Sequence, residues 1–135
     1  MKVSIKAIWR DDLKQGKGNY VSDNQLLNQM NYSFSKQKDY AVTLPEEMIA
    51  AAYSACFNMT LTLLLTQASY KIEELETNCE ITYNNEVIVQ ADLEIMAVIS
   101  GLDNTIFQQV VAQAKQMCPI GNSFNFPTIY RALLK

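Results

Sequence analysis

Residues 2–10 alternate polar and apolar side chains, as in Lys2-Val3-Ser4-Ile5-Lys6-Ala7, the two-residue period of a strand. Gln15-Gly16-Lys17-Gly18-Asn19 supplies a turn, and shorter strand-like pieces follow near 19–23 and 30–35. The texture then changes: from Met48 to Tyr70 the chain carries no charge and is rich in Ala, Leu and Met. Thr43-Leu44-Pro45-Glu46 in front of it has the signals of a helix start, with Thr43 as the cap, an early proline, and Glu46 three residues after the cap. Beyond this helix, Leu75, Thr77, Cys79, Ile81 and Tyr83 fall on one face of a strand, and Glu74, Glu76, Asn78, Glu80 and Thr82 on the other. Asn84-Asn85 predicts a hairpin turn into a second strand over 87–100, with Val89, Ala91, Leu93, Ile95, Ala97 and Ile99 inward. Gly101 breaks that strand. Asp103 or Asn104 caps a second helix through Met117, with Ile106, Phe107, Val110, Val111 and Ala114 on its apolar face. Pro119 stops that helix, and residues 126–134 read as a final strand.

The order β-β-β-α-β-β-α-β predicts an α+β fold in which antiparallel sheets enclose one long buried central helix. A length of 135 residues is one domain's worth, spanning 1–135. A helix with more apolar surface than one small sheet covers predicts an obligate dimer. The uncharged stretch is long enough to span a bilayer. Tyr53, Ser54, Asn58, Thr60, Thr62, Thr66 and Gln67 within it, and Glu46-Glu47 rather than basic residues at its start, fit burial in a soluble core or subunit interface better.

Charge adds little. The net charge is −3, and no long basic run points to nucleic acid. Residues 41–100 hold one Lys against nine Asp/Glu, which reads as a solvated acidic sheet face. The N-terminus lacks the continuous apolar core of a signal peptide, so the chain is expected in the cytoplasm, where structural disulfides are rare.

Composition narrows the chemistry more sharply. The chain has no histidine and three cysteines. Ser-His-Asp and Cys-His nucleophile pairs, His-ligated zinc or haem, and an imidazole switch are therefore excluded. There is no CxxC and no glycine-rich phosphate loop, and Cys56 and Cys118, 62 residues apart, match no close-spaced zinc pattern. Cys79, on the inward face of its strand, reads as a small hydrophobe. Cys56 lies midway along the first helix, either as another buried small residue or as a thiol activated by a nearby cation. Cys118 ends the second helix, where the negative helix terminus disfavours a thiolate and suits a resolving thiol better than a first attacker. Spacing alone leaves a redox pairing of Cys56 with Cys118 open.

The segment Leu44-Pro45-Glu46-Glu47-Met48-Ile49-Ala50-Ala51-Ala52-Tyr53-Ser54-Ala55-Cys56-Phe57 closely resembles the central helix of the osmotically inducible protein C family, OsmC/Ohr. Cys118-Pro119-Ile120 resembles that family's second signature. Trp9-Arg10, the Lys17-Gly18 turn and Tyr32-Ser33-Phe34 are similar to residues of its OsmC branch. The resemblance implies a tightly intertwined homodimer with active sites at the subunit interface and neither metal nor organic cofactor. It also implies a thiol peroxidase acting on organic hydroperoxides in preference to hydrogen peroxide. Carried onto this chain, Cys56 is the peroxidatic thiolate and becomes a sulfenic acid. Cys118 resolves it to a disulfide, and an external dithiol reduces that bond.

Glu46 corresponds to the family's glutamate that orients a cation beside the thiolate, and it doubles as the capping acid of the helix. Ten residues separate it from Cys56, ~15 Å along one straight helix, so the two meet only through a folded-back loop or from another subunit. The sequence departs from the family at that cation. The branch's arginine is missing after Tyr32-Ser33-Phe34, leaving Lys36, Lys38 or Arg10 for its role, and lysine lacks the bidentate fork of a guanidinium. Tyr53 stands where the branch commonly has histidine. Met59, Phe57 and Leu61 are candidates for contacting the organic group of the substrate, though their helical spacing fits core residues better. Two other functions fit the same pattern: a redox-inert OsmC-like binding protein that keeps an apolar pocket, and a hot-dog-like thioesterase with an essential carboxylate.

Overall fold

The computed structural model describes residues 1–135, which divide into two compact units, Met1–Met48 and Ile49–Lys135. The first unit is an antiparallel sheet of β1 (Lys6–Arg10), β2 (Lys17–Val21) and β3 (Asn31–Tyr32), in that order. β1 is shorter than the alternation over 2–10 predicts, because its ladder with β2 ends at Lys6 opposite Val21. Tyr32 anchors this sheet. Its ring stacks on Tyr20 with centroids 4.8 Å apart and tilts against Trp9 at 5.8 Å, and its hydroxyl donates to the Ile8 carbonyl. Gly18 lies under these rings, and a Cβ there would come within 2.6 Å of Tyr32.

Helix α1 (Pro45–Gln67) starts at the end of the first unit. Its cap is one residue later than the sequence suggests. The Leu44 N–H donates to the Glu47 carboxylate, so Glu47 rather than Glu46 is the capping acid, while the Thr43 hydroxyl donates to the Asn31 carbonyl. By length and composition α1 passes for a membrane span. Tyr53, Phe57, Thr60, Leu61, Leu64 and Leu65 are nonetheless buried in the second unit's own core, the face of a soluble-protein helix. Ala52, Ala55, Met59 and Leu63 lie on the opposite stripe, exposed and uncharged.

The second sheet has the order β4 (Ile72–Asn84), β5 (Val87–Ile99), β6 (Thr128–Leu134). β5 is central and presents Ala91, Leu93, Ile95, Ala97 and Ile99 to the core. β4 and β5 pair antiparallel through a two-residue turn at Asn85-Glu86, both with positive φ (48° and 68°). This is one residue beyond the expected Asn84-Asn85, and the backbone twist of such a turn suits a tight hairpin. Tyr83 and Val89, expected inward, are exposed. A register shift between Thr82 and Tyr83 skips Val89, and a one-residue slip exchanges the faces of a strand.

The expectation of wholly antiparallel sheets needs correction at β6, which pairs parallel with β5. Parallel neighbours need a long crossover, and α2 (Asn104–Met117) with the single turn α3 (Pro119–Asn122) provides it. Gly101, at φ 75°, turns the chain out of β5. Asp103 caps α2 by accepting the Thr105 N–H, and Phe107, Val111 and Ala114 are buried. Ile106, at 40% exposure, turns away from the core despite its place on the predicted apolar face. Replacing Asp103 by alanine is expected to cost about 1 kcal/mol, read as a lower denaturation midpoint at unchanged slope.

Candidate active site

Cys56 lies in the middle of α1, in the turn that follows Tyr53 on the buried face, and it is half-buried. Its carbonyl accepts the Thr60 hydroxyl at 2.9 Å, and the helix runs unbroken through it to Gln67. Cys118 sits between two helices. Its N–H donates to the Ala114 carbonyl and closes α2, and Pro119 follows at once because its fixed φ suits the first position of α3. Cys118 is fully buried. These two residues, 62 apart in sequence, come together: the Cys118 thiol donates to the Cys56 sulfur across 3.5 Å. A disulfide spans ~2.05 Å, so the pair is a dithiol that closes with a further approach of ~1.5 Å. Burial pushes the Cys118 thiol above its ordinary value, and neighbouring Cys56 adds to this against the pull of the Gly121 and Ile120 amides. A proton on Cys118 suits the partner that waits rather than the one that attacks first.

Cys79 stands apart. It is a half-buried member of the strand face that packs on the core. Burial, with the charge of Asp92 adding to it, pushes its thiol from 9.0 up to about 11. Because the folded chain holds this proton more tightly than the unfolded one, the associated stability is complete below pH 9.0 and is lost as pH rises through about 11. Urea midpoints measured from pH 8 to 11 are expected to fall over that window, and less steeply in Cys79→Val.

Behind the cysteine pair lies a hydroxyl cluster absent from any local pattern in the sequence. Tyr53, 1% exposed, shares hydrogen bonds with the Thr128 hydroxyl at 2.9 Å and the Tyr130 hydroxyl at 2.8 Å. Phe57 packs on the Tyr130 ring at 5.5 Å, Phe124 on Tyr53 at 5.9 Å, and the Lys115 ammonium sits 4.4 Å above the Tyr130 ring. Burial raises the Tyr130 phenol well above its ordinary value, and Tyr53 and then Cys118 push it further, so Tyr130 keeps its proton. No buried side-chain nitrogen or oxygen lacks a partner, and no group of three acidic or cysteine side chains is gathered for a metal.

The remaining candidates lie apart from these sulfurs in the sequence. Arg10 ends β1, and Lys36 and Lys38 lie in the loop after β3; all three are exposed in the first unit. Glu46 belongs to the first turn of α1, not to a loop, so ten residues of continuous helix, ~15 Å, separate it from Cys56 of its own chain. Phe57 and Leu61, read as contacts for an organic group, are fully buried core residues, whereas Met59 is 66% exposed. The first unit instead contains a shallow apolar cavity of about 310 Å³ lined by Trp9, Leu13, Tyr32, Ser33, Phe34 and Pro45.

Residues 38–130 match the family described as OsmC-like protein. The chain belongs to this family. Peroxiredoxin OsmC of Escherichia coli (strain K12) is 31% identical to this OsmC-like chain over 120 residues, covering 85% of it and 84% of the relative. An organic hydroperoxide resistance protein-like 2 of Staphylococcus epidermidis is 34% identical over 84 residues, 57% of this chain and 56% of the other. Among solved structures, an OsmC like protein from Mycoplasma pneumoniae superposes with a TM-score of 0.78 at 14% identity, over 99% of this chain and 97% of that one. That similarity establishes an OsmC-like fold, in line with the α+β arrangement expected from the sequence.

Proposed function

We propose that this OsmC-like chain is a cytoplasmic, homodimeric thiol peroxidase that reduces organic hydroperoxides through Cys56 and Cys118. The observation that carries the reading is the 3.5 Å approach of a half-buried sulfur and a fully buried one from opposite ends of the second unit's sequence. The relatives named peroxiredoxin and organic hydroperoxide resistance protein support the same reaction class.

The Cys56 thiolate attacks the distal oxygen of ROOH. The O–O bond breaks, the alcohol leaves with a proton, and Cys56 becomes a sulfenic acid. The Cys118 thiol then attacks that sulfur. The S–S bond forms, the S–O bond breaks, and the Cys118 proton leaves with the hydroxyl as water. An external dithiol exchanges with the disulfide and restores both thiols. Glu46, held away from Cys56 of its own helix, serves the Cys56 of a second copy, where it orients a cation supplied by Lys36, Lys38 or Arg10. The exposed uncharged stripe of α1 around Ala52, Ala55, Met59 and Leu63 supports burial of this helix between two copies.

Cys118→Ser tests the division of labour between the two cysteines. With one equivalent of cumene hydroperoxide it is expected to consume the peroxide once and leave a sulfenic acid on Cys56 that dimedone traps. An unmodified Cys56 after that treatment contradicts the reading.

A further inference from the structure

We infer that Tyr53 is the positioning residue that governs closure of the Cys56–Cys118 bond, through the hydroxyl cluster it forms with Thr128 and Tyr130. Tyr53 connects the elements that carry the pair. It precedes Cys56 by three residues on α1, so the two side chains project from neighbouring turns of one face. Its hydroxyl is tied to Thr128 and Tyr130 on β6. Its ring lies against the turn that begins at Cys118: a Cβ at Gly121 would stand 2.9 Å from the Tyr53 hydroxyl oxygen and 3.1 to 3.2 Å from two ring carbons. Tyr53 therefore occupies the space that a side chain on the Cys118 turn would need.

This placement bears on the chemistry because the sulfurs stand at 3.5 Å and a bond requires ~2.05 Å. Closing that gap takes a movement of the sulfurs, by side-chain rotation or by an advance of the turn carrying Cys118, and the Tyr53 ring lies against that turn. Two hydrogen bonds fix that ring against β6. Without the hydroxyl, the ring keeps its volume but loses its anchor, and the Cys118 turn loses the fixed wall that aims its sulfur. The step affected is the second one, in which the Cys118 thiol displaces the hydroxyl of the Cys56 sulfenic acid as water. The inference rests on the peroxidase reading for its place in a reaction, but the closure of the bond is measurable without it.

The test compares wild type, Tyr53→Phe and Tyr130→Phe in two assays. In the first, one equivalent of cumene hydroperoxide is added, and sulfenic acid and disulfide are followed by dimedone trapping and intact mass. In the second, diamide closes the dithiol with no hydroperoxide present. Tyr53→Phe is expected to slow disulfide closure about tenfold in both assays relative to wild type. In the first assay dimedone-reactive Cys56 accumulates. Tyr130→Phe, which leaves Tyr53 its bond to Thr128, is expected to show a smaller loss and carries the comparison should Tyr53→Phe not fold. A general loss of structure lowers the melting temperature and slows oxidation and closure alike, which does not fit a positioning role. Wild-type closure by diamide in both variants overturns the inference. Wild-type protein that closes with diamide but consumes no hydroperoxide overturns the peroxidase reading and leaves the Tyr53 comparison intact.

Discussion

Replacing Cys56 by serine is expected to abolish cumene hydroperoxide reduction, by at least about a thousandfold in kcat/KM. A serine hydroxyl at this position has no accessible anion at neutral pH, and the chain has no histidine to serve as its base. The other two cysteines do not replace Cys56. Cys118 is fully buried and holds its proton, and Cys79 is pushed up to about 11 on a packed strand face. A steady-state assay with a dithiol reductant reads the loss, while Cys79→Ser is expected to retain the wild-type rate. Hydroperoxide reduction surviving in Cys56→Ser contradicts this role for Cys56, and a thioesterase would instead show thioester hydrolysis that needs a carboxylate and none of the cysteines.

Phe57→Ala is expected to destabilise the chain by about 3–5 kcal/mol. The ring is fully buried and packs on Tyr130, so its removal leaves a cavity between α1 and β6 as well as losing the transfer of the ring from water. Against a typical total of about 5–15 kcal/mol, this is a large fraction, and a denaturant midpoint measures it directly. Met59, two residues on, faces the opposite way at 66% exposure. In a single chain Met59→Ala costs within about 0.5 kcal/mol. A larger, concentration-dependent cost at Met59 supports the proposed second copy against this stripe of α1.

The elements themselves were legible because they rest on local period: the alternation in β4 and β5, and the charge-free run of α1. What escaped that reading depends on partners far along the chain. The direction of β6 is set by the crossover through α2 and α3, and its alternation is the same in either direction. Tyr83 and Val89 alternate correctly yet face outward, since a bulge is a property of two strands together. The helix cap moved one residue because Thr43 found a tertiary partner in Asn31 and left Glu47 to bind the Leu44 amide. At the site, sequence distinguished the three cysteines by position but could not bring Cys118 to Cys56. Nor could it foresee that Tyr53 bonds to residues 75 and 77 positions away. Helical spacing favours a core role for Phe57 and Leu61, and both are buried in the core, whereas Met59 at the same kind of spacing is exposed.

The most direct measurement is a count of free thiols in denatured protein before and after one equivalent of cumene hydroperoxide. A fall from three thiols to one is expected, reversed by an external dithiol, with Cys56 and Cys118 joined in the recovered peptide and Cys79 free. Three thiols remaining after the hydroperoxide has been added contradict it.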